Sequence, residues 1–407
     1  MSIVVMKFGG SSVANPERIR RVARRVGEAQ DEGHQVVVIV SAMGDTTDDL
    51  IMLSRELSAR PSRREMDMLL STGEQQSIAL LAIALHEYGY KAISLTGLQA
   101  GYNTDGTYAV SRICNIDSSR VRKELDEGNI VVVAGFQGLS PNGDITTLGR
   151  GGSDTSAVAM AIELQADMCE IYTDVDGVYT ADPRLVKSAL KLNTISYDEM
   201  LEMAAMGAGV LHPRSVELAK QYGMTLHVRT SFDHRLGTIV QEVTDMNGEL
   251  EKEMVVAGVA HDMSVLRATL FNVPDQPGLA STVFGRLAQD KVNVDMIIQG
   301  SKTSDDKQNL SFISARTDAD KIEQALGEMV AGGLGEKFEL DDSIAKVSVV
   351  GAGMISRPGV AAKTFEVISS LGINIDMIST SEIKISCIVP EADAAKAVRA
   401  LHEAFLG

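Results

Sequence analysis

The residues best suited to chemistry are concentrated in one glycine-rich loop, Thr146-Thr147-Leu148-Gly149-Arg150-Gly151-Gly152-Ser153-Asp154-Thr155-Ser156. It follows a strand-like apolar run and precedes a helix-like one. Glycines let a backbone approach a ligand closely, and the small polar residues Ser153 to Ser156 predict helix N-caps beside free N–H groups that bind anions. Arg150 adds a guanidinium suited to a carboxylate or a phosphate. The glycines alone fit an ordinary tight turn, but together with Arg150 and Asp154 they predict a binding site.

A second candidate loop, Lys7-Phe8-Gly9-Gly10-Ser11-Ser12, follows the strand-like run Ile3-Val4-Val5-Met6. Backbone N–H groups of such a turn can cradle phosphates, and a lysine beside them neutralises phosphoryl charge. The lysine precedes the glycines, which excludes a P-loop. The spacing G-x-G-x-x-G of dinucleotide sites is absent as well. A glycine turn with a solvated lysine is the alternative interpretation.

Two further polar stretches are expected at the same edge of a sheet. The first, from Ser41 to Thr47, follows the apolar run Val36–Val40. Because ligands of open α/β sheets bind outside the carboxyl ends of the strands, this loop should face the same crevice. The second is Thr72-Gly73-Glu74, at the start of a helix predicted from Leu69 to Glu87. Glu74 could bind a substrate ammonium, or it could be a first-turn acid stabilised by the helix dipole.

A polar turn rich in aspartate follows a strand that is predicted to end at Thr173. It contains Asp174, Tyr179, Asp182 and Arg184. An EF-hand is excluded by the early glycine and the missing closing glutamate. A nucleotide pocket fits better, with the tyrosine for a base or ribose, the arginine for phosphates and the aspartates near a metal. An Asp-rich surface turn is the alternative.

Another glycine-rich turn leads into the helix start at His212-Pro213. We interpret His212 as structural rather than catalytic, because a residue before an N-terminal proline commonly shapes a helix start. Strands alternate with helices as far as about Val240, which predicts a largely parallel α/β sheet. The predicted first domain spans residues 1–244.

Composition limits the partners. The chain has 407 residues, a net charge of −17 and a pI near 4.9, so two or three domains are expected and nucleic acid or an anionic membrane is excluded as main partner. Three widely spaced cysteines suggest a reducing compartment. The N-terminus has neither a basic nor a long apolar segment, and no apolar run approaches a membrane span. We therefore expect a cytoplasmic protein.

The C-terminal part contains an internal repeat. Eight identical residues recur at a constant offset of 81, among them Pro277 and Pro358. Each copy predicts strand, Pro-Gly loop, helix, strand, strand and helix. The second copy lacks a closing strand, and the strand-like run that begins at Met254 could supply it. We therefore predict a first module at 263–342 inserted into a second module formed by 254–262 and 343–407, after an acidic linker at 245–253.

The repeats also predict amino-acid sites. In the first copy, free N–H groups after the Pro-Gly loop suit a carboxylate, while the side chains that end the next strand suit an ammonium or hydroxyl. Asparagine and aspartate also often merely terminate strands. Equivalent residues in the second copy suggest that an effector lies between the modules. The candidate effector residues are Asp275, Gly278, Leu279, Ala280, Asn293, Asp295, Gln299, Asn374, Ile375, Thr380 and Ser381.

These motifs together resemble the bacterial monofunctional aspartate kinases over essentially the whole chain. The resemblance implies an amino acid kinase fold followed by two ferredoxin-like βαββαβ ACT modules. It further implies transfer of the ATP γ-phosphoryl group to the β-carboxylate of L-aspartate, with Mg²⁺ held mainly by the nucleotide phosphates. Feedback inhibition by lysine, threonine or both would act at the ACT modules. One departure is Gly209, where many relatives have a lysine, although a backbone contact at Val210 could remain.

The resemblance distributes roles over the candidate residues. Lys7 and Asp154 are expected to be catalytic. The lysine would stabilise the transferred group, and the aspartate would orient the lysine and the substrate. The substrate residues are Ser41, Thr47, Glu74, Arg150, Gly151, Gly152, Ser153 and Asp154. The nucleotide residues are Lys7, Phe8, Gly9, Gly10, Ser11, Thr173, Asp174, Tyr179, Asp182, Arg184 and Val210.

Alternatives and assembly remain open on sequence grounds. A glutamate, acetylglutamate or uridylate kinase would share the glycine loops. A non-catalytic amino-acid sensor would share the ACT modules, but it would not need the Lys7 loop. Exposed sheet edges predict a homo-oligomer. The resemblance also admits an α₂β₂ assembly with a short chain from an internal start.

Overall fold

The computed structural model describes residues 2–205, 210–242, 255–300, 307–355 and 357–407. Within these ranges the chain forms two compact units. The first contains residues 2–179, 191–205 and 210–242, and the second contains 180–190 and the described residues from 255 onward. Gly209, the acidic linker at 245–253 and Met254 lie outside the described residues.

The first unit is an α/β domain whose elements alternate along the chain. In order they are β1 (Ile3–Phe8), α1 (Pro16–Asp31), β2 (Gln35–Val40), α2 (Thr46–Leu57), α3 (Arg63–Glu87), β3 (Ala92–Leu95), β4 (Tyr102–Thr104), β5 (Ile113–Ile116), α4 (Ser119–Asp126), β6 (Ile130–Ala134), β7 (Gln137–Leu139), β8 (Ile145–Thr147), α5 (Gly152–Leu164), β9 (Met168–Thr173), β10 (Thr194–Ile195), α6 (Tyr197–Ala205), α7 (Pro213–Tyr222), β11 (Leu226–Thr230) and β12 (Thr238–Val240).

Its main sheet has the described strand order β10-β12-β11-β9-β1-β2-β6-β3, and every pairing in it is parallel except β11 with β12. All five residues of β6 and the last five of β2 are buried, because apolar runs without alternation suit strands covered on both faces. Helices α1 and α3 pack in the core on one side. Helix α5, which is almost wholly buried, contacts β1, β2 and β9. The predicted largely parallel α/β class is confirmed.

Along the chain, β7 and β8 lie between β6 and the central glycine loop. They belong to a small sheet of order β5-β4-β7-β8. The sequence analysis placed that loop after a strand-like run but did not predict this small sheet. Strands β7 and β8 have three residues each, which is too short for an alternating pattern to be recognised. The hairpin they form ends at Thr147, so it carries the polypeptide into the loop.

Two helix starts differ from those predicted. Helix α3 begins at Arg63 rather than Leu69. The prediction missed this start because the first turn is charged and carries no apolar signal. Glu74 is therefore in the middle of the helix, and the helix-dipole interpretation of it is wrong. Helix α5 begins at Gly152, and its N-cap is Gly151 at φ 66° instead of one of the residues from Ser153 to Ser156. Only glycine adopts that left-handed conformation without strain.

Helix α3 is also long and apolar enough, by length and composition, to cross a membrane. Half of its most apolar window is buried inside the domain. Buried residues along it, such as Leu81 and Leu85, belong to the core around β1, β2 and β6. These features are those of a core helix.

The second unit contains two βαββαβ modules, as the repeat predicts. Its elements are β13 (Gly258–Asp262), β14 (Val265–Pro274), α8 (Leu279–Gln289), β15 (Val294–Gln299), β16 (Lys307–Ala315), α9 (Ala319–Ala331), β17 (Lys337–Asp341), β18 (Ile344–Val350), α10 (Val360–Ser370), β19 (Met377–Thr380), β20 (Lys384–Pro390) and α11 (Glu391–Leu406). The two antiparallel sheets have the orders β15-β16-β14-β17 and β19-β20-β18-β13. Strand β13, which precedes the first module, occupies the edge of the second sheet that β17 occupies in the first.

The two modules share an apolar interface. Val265, Met296 and Ile313 of the first module form one cluster with Ile344, Met377 and Ile388 of the second. Met296 and Met377 are equivalent in the repeat, so the contact has approximate twofold character. Each module also has its own core beneath its helices.

A short segment from between β9 and β10, Thr180–Leu190, belongs to this second unit. Ala181 and Val186 are buried in the core of the second module. The Thr180 carbonyl accepts a hydrogen bond from the Val259 N–H at 2.7 Å, and its hydroxyl lies 2.9 Å from Nε2 of buried His402. The segment lies inside the 1–244 range by sequence but completes the core of a module whose own strands begin at Gly258 and at Ile344.

Candidate active site

A pocket of about 290 Å³ lies at the carboxyl ends of β1 and β2 in the first unit. The Lys7 loop and the loop after β2 meet here because both lie at the ends of parallel strands, and helix α3 and the central glycine loop complete the pocket. The residues that line it are Lys7, Gly9, Gly10, Ser41, Ala42, Gly44, Thr47, Glu74, Phe136, Gly149, Arg150, Gly151, Gly152, Ser153 and Asp154. Every residue that was predicted to bind substrate is among them.

An ion pair joins the two residues expected to be catalytic. Nζ of Lys7 lies 2.6 Å from Oδ1 of Asp154, and each side chain is about nine-tenths buried. In the described residues this aspartate oxygen has no other partner. Lys7 is near the end of β1, and Asp154 is in the first turn of α5. The pair therefore fixes the lysine ammonium at the mouth of the glycine turn, where it can meet an anionic group.

Glu74 is a buried carboxylate that faces the pocket from the middle of α3. One oxygen, Oε1, accepts a hydrogen bond from the Ala42 N–H at 3.1 Å, whereas Oε2 has no partner among the described residues. Burial raises the pKa of Glu74 to about 7, against the opposing effect of backbone hydrogen bonds. An unsatisfied buried oxygen beside a pocket is a ready acceptor for a cationic ligand group.

Close contacts with neighbouring atoms require glycine at positions 10 and 151 of the pocket. A Cβ on Gly10 would lie 2.8 Å from the Ala42 carbonyl oxygen, and one on Gly151 would lie 2.1 Å from Cγ of His212. A Cβ on Gly9 would approach Nζ of Lys7 to 3.4 Å. Side chains there would fill the space in which a phosphate could meet backbone N–H groups.

Arg150 has the most exposed side chain of the predicted catalytic and substrate residues. It lies between Gly149 and Gly151, both at positive φ. Its guanidinium makes neither a hydrogen bond nor an ion pair within the described part of the chain. It is therefore available to a ligand carboxylate or phosphate.

The predicted nucleotide residues are distributed more widely. The Phe8 ring is fully buried and stacks on Tyr172 with ring centroids 4.6 Å apart, which leaves only its backbone for a ligand. The Ser11 carbonyl accepts a hydrogen bond from Arg18. In the turn after β9, Thr173 donates a hydrogen bond to Asp174 at 3.0 Å. None of these four predicted residues lines the pocket.

The remaining nucleotide candidates lie later in the same turn and beyond it. Tyr179 donates a hydrogen bond to Asp176 at 2.8 Å. Asp182 and Arg184 form a two-pronged ion pair in the second unit, with Nη2 and Oδ2 2.8 Å apart. Val210 is partly buried in the first unit.

A charged cluster supports the glycine turn from behind. The Tyr172 carbonyl accepts a hydrogen bond from the Gly9 N–H at 3.3 Å, and its hydroxyl donates to Glu170 at 2.8 Å. Burial opposes ionisation of Glu170, yet its hydrogen bond with His227 and the charge of Arg229 lower its pKa to about 2. The Glu170 carboxylate therefore stays charged and holds the tyrosine beneath the turn.

The predicted effector residues of the first module form a partly connected group. Gln308 links two of them, because it donates to Asp275 at 3.2 Å and accepts from Gln299 at 2.9 Å. Gly278 is the left-handed N-cap of α8, Leu279 is buried and Ala280 is exposed. Asn293 accepts a hydrogen bond through its carbonyl, from Ser314 at 2.6 Å.

The candidate residues of the second module are exposed, except Ile375, which is partly buried. Asn374 donates to Asp376 at 3.3 Å, and Ile375 packs at the edge of the core. Thr380 ends β19, and the Ser381 N–H donates to the Lys384 carbonyl at 2.8 Å. These hydrogen bonds join residues two or three positions apart and do not by themselves define a ligand site in the described part of the second module.

The two repeat-related aspartates are each paired with a basic residue of the other module. Asp295 lies 2.5 Å from Nζ of buried Lys346, and Asp376 lies 2.9 Å from Nη1 of Arg267. The sequence analysis expected Asp295 to face an effector ammonium. In this structure a lysine ammonium of the protein already occupies that place.

Sequence reasoning missed the residues that fix the central loop. Buried Asp67 and half-buried Arg214 bind backbone groups at its start, those of Thr147 and Leu148. Asp67 stands in a charged stretch without any motif, and its partner Thr147 is 80 residues away. Neither spacing nor composition gave a signal for this contact.

A parallel sheet with a lysine–aspartate pair between glycine loops, together with two antiparallel βαββαβ modules, defines a small-molecule kinase with regulatory modules. Residues 2–230 match the amino acid kinase family, and residues 267–331 and 347–405 each match an ACT domain. The chain is 54% identical over 406 residues to an aspartokinase of Bacillus sp. strain MGA3, covering 100% of this chain and 97% of that one.

Solved structures give the same result. E. coli aspartokinase III in complex with aspartate and ADP, in the R-state, superimposes with a TM-score of 0.83 at 27% identity over 100% of both chains. Its T-state complex with lysine and aspartate gives a TM-score of 0.78 over the same coverage and identity. The chain therefore belongs to the aspartokinases of the amino acid kinase family, and it is an enzyme that acts as an aspartate kinase.

Proposed function

We propose that the enzyme transfers the γ-phosphoryl group of ATP to the β-carboxylate of L-aspartate, giving 4-phospho-L-aspartate and ADP. A carboxylate oxygen forms the new bond to the γ-phosphorus, while the bond from that phosphorus to the β,γ-bridging oxygen breaks and ADP leaves. No general base is needed, because the β-carboxylate is ionised at neutral pH with a pKa of about 3.9. The observation that carries the proposal is the convergence of Lys7, Glu74 and Arg150 on one pocket.

Each residue is suited to one part of this reaction. Arg150 would bind the α-carboxylate of aspartate, and the free oxygen of Glu74 would accept a hydrogen bond from its ammonium. Lys7 and the N–H groups of Gly9 and Gly10 would stabilise charge on the transferred group. Asp154, 2.6 Å from Lys7, would hold that ammonium in position. Ser41 and Thr47 complete the wall of the pocket.

Mg²⁺ is proposed to enter with the nucleotide. The glycine turn suits phosphates, since added Cβ atoms would collide with its neighbours. Mg²⁺ keeps several waters and binds largely through substrate phosphates. Bound Mg²⁺ would neutralise part of the negative charge of the ATP phosphates. Thr173, Asp174, Tyr179, Asp182, Arg184 and Val210 remain the proposed nucleotide residues.

Feedback inhibition is proposed at the ACT modules. The E. coli relative has been solved with lysine in a T-state, which supports an amino acid as effector here. Lysine, threonine or both would bind near Asp275, Gln299 and Asn374, and inhibit by favouring one conformation by about 1–3 kcal/mol. The proposed setting is the first step of lysine, threonine and methionine biosynthesis in the cytoplasm.

Turnover with defined acceptors tests the reaction. ATP consumption should require L-aspartate, and hydroxylamine should trap an acyl phosphate as the β-hydroxamate. L-Asparagine, whose β-carboxylate is blocked, is the matched control and should give no product. Greater turnover with acetylglutamate, glutamate or UMP would assign the pocket to another acceptor. Lysine and threonine, added separately and together, should then identify the effector combination.

A further inference from the structure

Two charged residues hold the loop that carries Arg150, and they do so in a complementary way. Asp67 of α3 is fully buried and binds donors. Its Oδ2 accepts from the Thr147 N–H at 3.0 Å and its Oδ1 from the Thr147 hydroxyl at 2.7 Å, while the Ala109 N–H donates to the same carboxylate at 2.9 Å. The two donor residues, Ala109 and Thr147, belong to different segments, residues 107–112 and 147–149.

Arg214, near the start of α7, binds acceptors of the same two segments. Its Nη1 donates to the Leu148 carbonyl and its Nη2 to the Ser111 carbonyl, both at 2.9 Å. The segments also bind each other, because the Ser111 N–H donates to the Thr147 carbonyl at 2.9 Å. Asp67 thus accepts hydrogen bonds from N–H and O–H groups of the two segments, and Arg214 donates hydrogen bonds to their carbonyls. We call residues 107–112 and 147–149, held in this way, the two-segment frame.

Arg150 follows this frame directly. Gly149 lies against it, since a Cβ there would be 3.0 Å from the Ala109 carbonyl oxygen. The Gly152 N–H then donates to the Gly149 carbonyl at 3.0 Å, which turns the chain into α5. The Arg150 guanidinium has no described partner of its own, so its direction depends on the backbone on either side of it.

We propose that Asp67 and Arg214 are positioning residues that orient Arg150 towards the carboxylate of the acceptor. The proposal rests on the assignment of Arg150 to that carboxylate. A displacement of the loop by about 1 Å can cost on the order of 100-fold in an oriented reaction. The effect should fall on aspartate rather than on ATP, because neither residue touches the Lys7 turn.

The variants Asp67→Asn and Arg214→Lys test this with little change of volume. Asp67→Asn replaces a carboxylate oxygen by an amide donor that faces the N–H groups of Thr147 and Ala109. Arg214→Lys keeps the charge, but one ammonium cannot reach both the Leu148 and the Ser111 carbonyls. We expect the KM for aspartate to rise at least about tenfold, with the KM for ATP nearly unchanged. Asp144→Asn is the matched control, because Asp144 binds Tyr108 of the same segment but not the loop after β8. Its KM for aspartate should stay at the wild-type value.

A double-mutant cycle with Arg150→Ala distinguishes positioning from general support. If Asp67 acts through Arg150, Asp67→Asn should have almost no further effect on the KM for aspartate once Arg150 is gone. Additive effects would overturn the proposal. So would an equal rise of both KM values in Asp67→Asn and Arg214→Lys. If Arg150→Ala alone leaves the KM for aspartate unchanged, the proposed role of Arg150 itself is wrong.

Discussion

Glu74→Gln is the most informative single change, because the structure gives Glu74 both a functional and an energetic role. Its pKa is raised by burial from an ordinary 4.5 to about 7. The folded protein therefore holds a proton on Glu74 at mildly acid pH, where the carboxylate could not pair with a substrate ammonium. We expect kcat/KM for aspartate to fall about tenfold per pH unit below pH 7 in the wild type.

The same shift has a cost in stability. A pKa raised from 4.5 to about 7 corresponds to about 3 kcal/mol between the two protonation states. Since the folded pKa is the higher one, this stability is complete below pH 4.5 and is lost as the pH rises through about 7. Glutamine is neutral throughout. Glu74→Gln should therefore equal the wild type in stability near pH 4.5 and exceed it by about 3 kcal/mol at pH 8.

The assay measures kcat/KM for aspartate between pH 5.5 and 8.5 and the unfolding transition at pH 4.5 and at pH 8. Glu74→Gln should lose affinity for aspartate and lose the part of the acid limb that Glu74 causes. ATP phosphates also titrate near neutral pH, and the variant retains that effect, so the difference isolates Glu74. Glu199→Gln, a buried glutamate bound to Ser196, is the matched control. A wild-type profile that is flat between pH 6 and 8 would refute the reasoning.

Four further changes test the site and its regulation. Lys7→Ala should abolish turnover while leaving the circular dichroism spectrum unchanged, and activity within a few-fold of wild type would remove the lysine from catalysis. Arg150→Ala should raise the KM for aspartate by about 10- to 100-fold through loss of a charge-assisted pair, and an effect on ATP alone would move it to the nucleotide. Gly10→Ala should impair ATP binding, because its Cβ would lie 2.8 Å from a carbonyl oxygen; unchanged ATP binding would argue against a phosphate there. Asn374→Ala should keep basal activity and relieve inhibition by lysine or threonine, and unaltered sensitivity would place the effector elsewhere.

The meeting of the Lys7 loop with the loop after β2 could be predicted because parallel strands end at one edge of a sheet. Lys7 lies near the end of β1 and Ser41 follows β2, so their meeting needs no long-range information. Arg150 follows β8 of the small sheet, so its place at the pocket could not be predicted on this ground. The environment of Glu74 could not be predicted in the same way. Its burial results from tertiary packing, and its position in mid-helix was hidden because the first turn of α3 is charged and carries no periodic signal.

The pairing of charges across the fold was beyond sequence reasoning as well. Lys346 is buried in a strand of the second module, where its charge has no local explanation, and only the packing of two sheets brings it to Asp295. The repeat correctly indicated two equivalent modules. It could not indicate that equivalent aspartates would bind unlike partners, a lysine and an arginine.

The segment Thr180–Leu190 has a consequence for how this gene can be divided. A catalytic fragment cut near residue 244 would carry Ala181 and Val186 without the core that buries them, and should aggregate. A short chain translated from a start near Met254 would have the opposite defect, with a second module missing two of its buried residues. In an assembly of long and short chains, the two copies of that module would therefore differ in surface, and the incomplete copy would present an apolar recess.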